Sequence, residues 1–254
     1  INSTLQQNRK NHMAQTIAKL TDAVKQYDKH KVLDHISLNI QEGELIGLIG
    51  PSGSGKTTTI KCLLGMEKLN SGTTEIFEQR MPNRQVLSHI GYMGQSDALY
   101  ESLSAKENLI FFGHLAGIKG KQLISSINHN MGLVNLEEKL NKTVNTFSGG
   151  MKRRLSLAIT LLSDPSLIIL DEPTVGIDPK LRQQIWNQLK YLTKQGKAVI
   201  VTTHVMDEAE RCDKIGLIVE GRLFAIGTPN ELKQKFNVET IEEVFIKGEE
   251  VKNQ

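Results

Sequence analysis

The sequence predicts an α/β fold with a mainly parallel sheet, a small antiparallel β-subdomain and an inserted helical subdomain. Three observations carry that prediction. Short apolar runs alternate with helical patterns, a glycine-rich loop follows one of those runs directly, and between about residues 95 and 164 strong strand signals give way to helices.

Taken in order, residues 1–12 (INSTLQQNRKNH) are polar and lack the apolar stretch of a signal peptide, so they are expected to be a disordered or added leader ahead of a native start at Met13. LDHISLNIQEGE alternates like a strand pair leading into the next strand, which places a small antiparallel sheet beside the core. LIGLI at 45–49, LIIL at 167–170, AVIVTT at 198–203 and IGLIV at 215–219 are short, mainly apolar runs, as buried strands of a parallel sheet require. A helix is expected from Lys56 to Met66. A second helix has Asp178 as N-cap, Pro179 at its first position and Gly196 at its end. AKENLIFFGHLAGI and KRRLSLAITLLSD read as helices of the insertion, with the aromatic pair Phe111–Phe112 as buried core. The expected organisation is one domain over 13–250, its core at about 13–94 and 165–250 and its helical subdomain at about 95–164.

Composition narrows the function. With 254 residues, 39% hydrophobic and 23% charged, the chain can build a substantial core. A formal net charge of +3 gives no global field to recruit nucleic acid, so no nucleic-acid partner is expected, and Lys152, Arg153 and Arg154 read as a solvated face. Cys62 and Cys212 lie far apart and form no metal or disulfide pattern, which suits a reducing cytosol. No run approaches the roughly 18 apolar residues of a membrane span.

The chemistry is concentrated in a few motifs. GPSGSGKTTT at 50–59 contains G-x-x-x-x-G-K-T after a strand and before a helix. Such a loop, here Gly50, Ser52, Gly53, Ser54 and Gly55, turns backbone N–H groups onto phosphate oxygens; Lys56 reaches the β- and γ-phosphates and the Thr57 hydroxyl takes Mg²⁺. LIILDEP ends a strand in Asp171, able to hold Mg²⁺ directly or through water. Glu172 beside it is placed to polarise the water that attacks a γ-phosphate. His204 closes AVIVTT, where a ring nitrogen could touch the γ-phosphate, although taken alone it reads as a surface histidine. Ser148, Gly149 and Gly150 open an amphipathic helix, either as a plain cap or as a second anion grip for a neighbouring subunit's nucleotide.

The ordered set GPSGSGKTT, Gln95 in GYMGQ, FSGGM, LIILDEP, GIDP and His204 resembles the ATPase subunit of an ATP-binding-cassette (ABC) transporter, from about Gln15 to Ile246. The resemblance implies a P-loop NTPase core binding ATP and Mg²⁺, and a head-to-tail dimer of two copies with two ATP molecules sandwiched between them. Position by position, Tyr27 resembles the aromatic that stacks on adenine. Gly53, Gly55, Lys56, Thr57 and Thr58 resemble the phosphate and Mg²⁺ grip, and Gln95 the Mg²⁺ sensor linking core to helical subdomain. Glu172 resembles the general base, His204 the γ-phosphate sensor, and Asp178 the loop communicating across the dimer. Ser148 and Gly150 resemble the signature that completes the partner's site. Phe147 and Met151 depart from the leucine and glutamine that commonly flank that signature, while the phosphate-facing residues are kept.

GRLFAIGTPNELKQKF with TIEEVFIK, together with TVGIDP and the segment from Gly91 to Ile118, is similar to cassettes of bacterial drug-export and related systems. That similarity implies export of a drug, lipid or other small molecule through a separate integral membrane subunit, with this chain peripheral on the cytoplasmic face. It also implies that residues 96–118 border the groove receiving a short helix of that subunit, with Phe111 and Phe112 as candidate lining. The alternative is a soluble cassette acting in DNA repair or on ribosomes, which the short interval from Gln95 to Ser148 disfavours because it has no room for a long coiled coil.

Overall fold

The computed structural model describes residues 15–250; the leader expected over residues 1–12 lies outside the described residues. The described chain opens with a hairpin, β1 (Thr16–Tyr27) against β2 (His30–Gln41), and continues through β3 (Leu45–Ile49) into α1 (Lys56–Leu63). β4 (Ser71–Ile76), β5 (Gln79–Arg80) and β6 (Ile90–Met93) follow. Three helices come next: α2 (Ala105–Leu115), α3 (Gly120–Leu133) and α4 (Gly149–Thr160). β7 (Leu167–Asp171), α5 (Pro179–Lys194), β8 (Ala198–Thr203), α6 (Met206–Ala209), β9 (Lys214–Val219), β10 (Arg222–Gly227), α7 (Pro229–Phe236) and α8 (Ile241–Glu250) complete it.

One sheet has the order β10-β9-β3-β8-β7-β6, parallel from β9 to β6, and the other is a four-stranded antiparallel sheet, β2-β1-β4-β5. Every residue of β3, β7 and β8 is buried, because helices cover one face and the antiparallel sheet with α1 the other. Alternation divides the side chains: Leu45, Ile49, Ile168, Leu170, Val199 and Val201 pack with the helices and Trp186, whereas Ile46, Leu48, Leu167, Ile169 and Ile200 pack against Leu20, Ile36 and Leu38 of the hairpin.

Two local expectations change. LDHISLNIQ is a single strand, not a strand pair; its antiparallel partner is β1 upstream, across a turn at Asp28 and Lys29, because no glycine or proline interrupts the run before Gly43. β6 was not expected as a strand of the parallel sheet. It is four residues long and contains Gly91, where a Cβ would lie 2.7 Å from the Thr160 carbonyl oxygen, so the close approach of α4 masks the strand signal. Helix ends follow their signals more closely. The Asp178 carboxylate accepts from the Leu181 N–H at 3.0 Å ahead of Pro179, a cap that contributes about 1 kcal/mol. α1 stops at Leu63, short of Met66, ahead of Gly65 at φ +69°.

Among the described residues, no helix is long and apolar enough to cross a membrane. Both cysteines are buried and free, and burial pushes the Cys62 thiol up to about 11 and the Cys212 thiol to about 12. Against an ordinary value of 9.0, a thiol at about 11 carries roughly 100-fold less thiolate at pH 8. Alkylation by iodoacetamide at pH 8 is therefore expected to be slower by about that factor or more in the folded protein than in denaturant, as mass spectrometry of both peptides would measure.

Candidate active site

The parallel sheet fixes where chemistry can occur. Adjacent β3, β8, β7 and β6 end at one edge, and there they release Gly50, His204, Glu172 and Gly94 respectively. Register does the fine placement: Asp171 is opposite Thr202, and Ile49 is opposite Thr203.

The glycine loop between β3 and α1 is shaped for close backbone approach. At Gly50 a Cβ would sit 2.2 Å from the Ile218 carbonyl oxygen, and Gly53 and Gly55 have φ of +80° and +107°. Gly55 is the N-cap of α1; no side chain caps that end and no acidic residue lies in its first turn. The first-turn N–H groups are thus left for an external anion, which the helix dipole favours. Ser52 and Gly53 are exposed, Ser54 and Gly55 buried, and Thr58 half-buried. Lys56 is buried, and its ammonium donates to the carbonyl oxygens of Gly50 at 2.8 Å and Pro51 at 2.9 Å. Burial holds its pKa below the ordinary lysine value, with Glu172 and Asp171 pulling the other way.

Three side chains meet next to it. The Thr57 hydroxyl donates to Asp171 Oδ2 at 2.8 Å, Gln95 Nε2 donates to Thr57 Oγ1 at 3.0 Å, and the Thr202 hydroxyl donates to Asp171 Oδ1. Asp171 is fully buried, so both carboxylate oxygens are fixed by hydroxyls. A hydroxyl, a carboxylate and an amide whose oxygen comes forward on rotation form an oxygen donor set suited to a small hard cation that keeps several waters. Glu172 follows in a left-handed conformation, φ +55°, at a cost of about 1–2 kcal/mol for a residue other than glycine. That turn takes its carboxylate out of the strand, 3.2 Å from His204 Nδ1. Its N–H donates to both the carbonyl and the hydroxyl of Thr202, each at 3.1 Å. The site thus combines a phosphate-shaped loop, a cation-type oxygen cluster and a carboxylate–imidazole pair.

Residues 33–175 match the family described as ABC transporter. The chain belongs to the ABC transporter family. It is 40% identical over 219 residues to Nod factor export ATP-binding protein I of Cupriavidus metallidurans, covering 85% of this chain and 72% of that protein. It is 35% identical over 239 residues to the "Probable multidrug ABC transporter ATP-binding protein YbhF" of Escherichia coli, covering 91% of this chain and 41% of that longer protein. Among solved structures, an ATP-binding subunit of an ABC transporter aligns with a TM-score of 0.85 at 26% identity, over 92% of this chain and 99% of that one. A dimeric ATP-binding cassette in a post-hydrolysis state, bound to ADP and Pi, aligns at 0.76 and 28% identity, over 84% and 98%. The fold is that of an ABC ATPase cassette, α/β with a P-loop, and the chain is an ATP-binding ATPase subunit.

In this ABC cassette the remaining expected residues stand apart from the cluster around Lys56. Tyr27, at the end of β1, is 42% exposed, and the Lys25 ammonium lies 4.5 Å from its ring centroid. Ser148 and Gly149 are exposed, and the Ser148 hydroxyl accepts from the Met151 N–H at 3.3 Å, the plain cap. Gly150 approaches Gly176 so closely that a Cβ would lie 2.7 Å from its carbonyl oxygen. Asp178 is exposed, its carboxylate engaged as the α5 cap. The basic run does not behave as a solvated face. Arg153 is buried, Arg154 donates to the carbonyls of Val134 and Asn135, and only Lys152 has the expected surface pairing, with Glu101 at 2.6 Å. Arg153 went unrecognised because a cation in a basic triplet looks solvated, and the backbone carbonyls that bury it leave no mark in the sequence.

Proposed function

We propose that this chain is the ATP-hydrolysing subunit of an ABC exporter, peripheral on the cytoplasmic face of the membrane and acting through a separate integral membrane subunit. The observation that carries the hydrolytic part is the Glu172–His204 pair, 3.2 Å apart, beside Lys56 and Asp171 at the shared strand edge. ATP phosphates are held by the loop N–H groups and Lys56. Glu172 takes the proton of the attacking water as the water oxygen bonds to the γ-phosphorus and the bond to the β–γ bridging oxygen breaks, releasing ADP and phosphate. His204 orients that carboxylate while facing the γ-phosphate. Thr57, Asp171 and Gln95 would hold Mg²⁺, which supplies charge neutralisation on the phosphate oxygens. Tyr27 offers its exposed ring to adenine.

The chain acts as one domain over 13–250 with its helical subdomain at 95–164. Two copies close head to tail, with Ser148, Gly149, Gly150 and Asp178 of each turned to the other's nucleotide. The exposure of Ser148, Gly149 and Asp178 in the single chain supports that arrangement. The export direction is supported by the names of the Nod factor and multidrug relatives. The membrane subunit's short helix docks on the groove lined by Ser96, Leu99, Phe112, Leu115, Ser156 and Ile159. Phe111 and Phe112 are not the buried core pair first expected: Phe111 is 42% exposed, packed edge-on to Tyr100, and Phe112 is half-buried. The insertion helices α2, α3 and α4, of 11, 14 and 12 residues, form no long coiled coil, so the DNA-repair or ribosomal alternative gains no support. Tagged Glu172→Gln protein, used as bait with MgATP in detergent-solubilised cells of the source organism, is expected to recover a multi-span membrane protein. Recovery of soluble partners alone would defeat the exporter reading.

A further inference from the structure

We propose that Arg153 is a positioning residue: it ties the backbone at Gln95 to the backbone of Glu172, so that both follow the helix capped by Ser148. The inference rests on the reading of Glu172 as the base.

The Arg153 side chain is 7% exposed and its guanidinium spans two loops. Nη1 donates to the carbonyl oxygens of Gly94 at 2.7 Å and Gln95 at 3.2 Å and faces Asp97 Oδ1 at 3.4 Å. Nη2 donates to the carbonyls of Asp171 and Glu172, the latter at 3.0 Å, and Nε reaches the Glu172 carbonyl at 3.3 Å. Asp97 also accepts from the hydroxyl of Ser156 on the same helix, at 2.9 Å. The left-handed backbone of Glu172 is therefore held from two sides, its N–H by Thr202 of β8 and its carbonyl by Arg153 of α4. Releasing one side frees the peptide plane that aims the carboxylate. The rigid planar fork spreads three nitrogens over carbonyls of two loops at once, whereas a lysine ammonium is a point donor on a flexible stem and cannot span them in the same way.

This geometry gives α4 a mechanical link to the hydrolytic centre that does not pass through nucleotide. The first turn of α4 carries Ser148–Gly150, and Arg153 lies in its next turn. A displacement of the helix therefore shifts the Gln95 and Glu172 carbonyls together. Loss of the link disorders the base and leaves the phosphate loop intact, so it lowers turnover without weakening ATP.

The test is a double-mutant cycle on the full chain, reading steady-state phosphate release and fluorescent-ATP titration. Arg153→Met is expected to lower kcat at least about tenfold while the ATP Kd stays within about threefold. In a Glu172→Gln background the same substitution is expected to leave the residual rate within about twofold, since the group it positions is gone. Arg153→Lys, which keeps charge and stem, is expected to lose kcat to a similar extent and guards against a Met variant that does not fold. Equal losses in both backgrounds, a wild-type kcat in either variant, or a loss confined to ATP affinity would each overturn the assignment. If Glu172→Gln is itself fully active, the base reading fails; if Glu172→Gln is inactive and Arg153→Met active, only this inference fails.

Discussion

Glu172→Gln is expected to lower ATP turnover by about 10²–10⁴-fold while ATP affinity stays within a few-fold, because it removes a proton acceptor and almost nothing else. The glutamine has the same length and shape, so the side chain keeps its place beyond the strand edge, and its Oε1 can still face His204 at about the 3.2 Å now observed. The backbone contacts to Thr202 and Arg153 do not involve the carboxylate and persist. What is lost is the capacity to accept the proton of the attacking water. Steady-state phosphate release and equilibrium ATP titration separate the two quantities. Size-exclusion chromatography adds a third readout, since a cassette that binds ATP without consuming it should accumulate as the closed dimer. A Glu172→Gln protein that is monomeric with MgATP and fully active would refute both the base and the dimer.

Much of the site was legible because its residue types are constrained by backbone geometry. Gly50 and Gly55 are glycines for reasons of space and φ, and Thr57 and Asp171 are a hydroxyl and a carboxylate that meet at 2.8 Å. Those constraints are local, so they appear as fixed spacings. The apolar runs that make up β3 and all but the C-terminal ends of β7 and β8 were equally legible, since a strand buried on both faces has no polar alternation to blur it.

Features that depend on distant contacts were not legible. β6 is a strand because β7 pairs with it, and its Gly91 answers to the Thr160 carbonyl some seventy positions away. The partner of β2 is β1, whose own sequence, TIAKLTDAVKQY, mixes charged and apolar positions through several register shifts and so gives no clean alternation. Arg153 and Phe111 failed in opposite directions, the cation buried and the ring exposed. In both cases the decisive partner is another segment's surface, which amino-acid type does not encode.

Lys56→Ala is expected to raise the ATP Kd by about 10–100-fold and to lower kcat/KM by more, a pattern opposite to that of Glu172→Gln. The Lys56 ammonium is satisfied by the Gly50 and Pro51 carbonyls at 2.8 and 2.9 Å, so a bond to ATP exchanges neutral acceptors for charged phosphate oxygens. A charge-assisted hydrogen bond contributes about 1.5–3 kcal/mol, which converts to roughly one to two decades of affinity. Further charge develops toward the γ-phosphate in the transition state, so the loss in kcat/KM should exceed the loss in binding. The fold should tolerate the change, because removing a buried ammonium relieves the desolvation that holds its pKa down while freeing two loop carbonyls. Thermal melting of the ATP-free protein is therefore expected to shift by only a few degrees, whereas stabilisation by added ATP should largely vanish. If Lys56→Ala were instead stabilised by ATP as strongly as the parent, the loop would be holding phosphate by its N–H groups and helix dipole alone, and the lysine would be a structural clasp on Gly50 and Pro51.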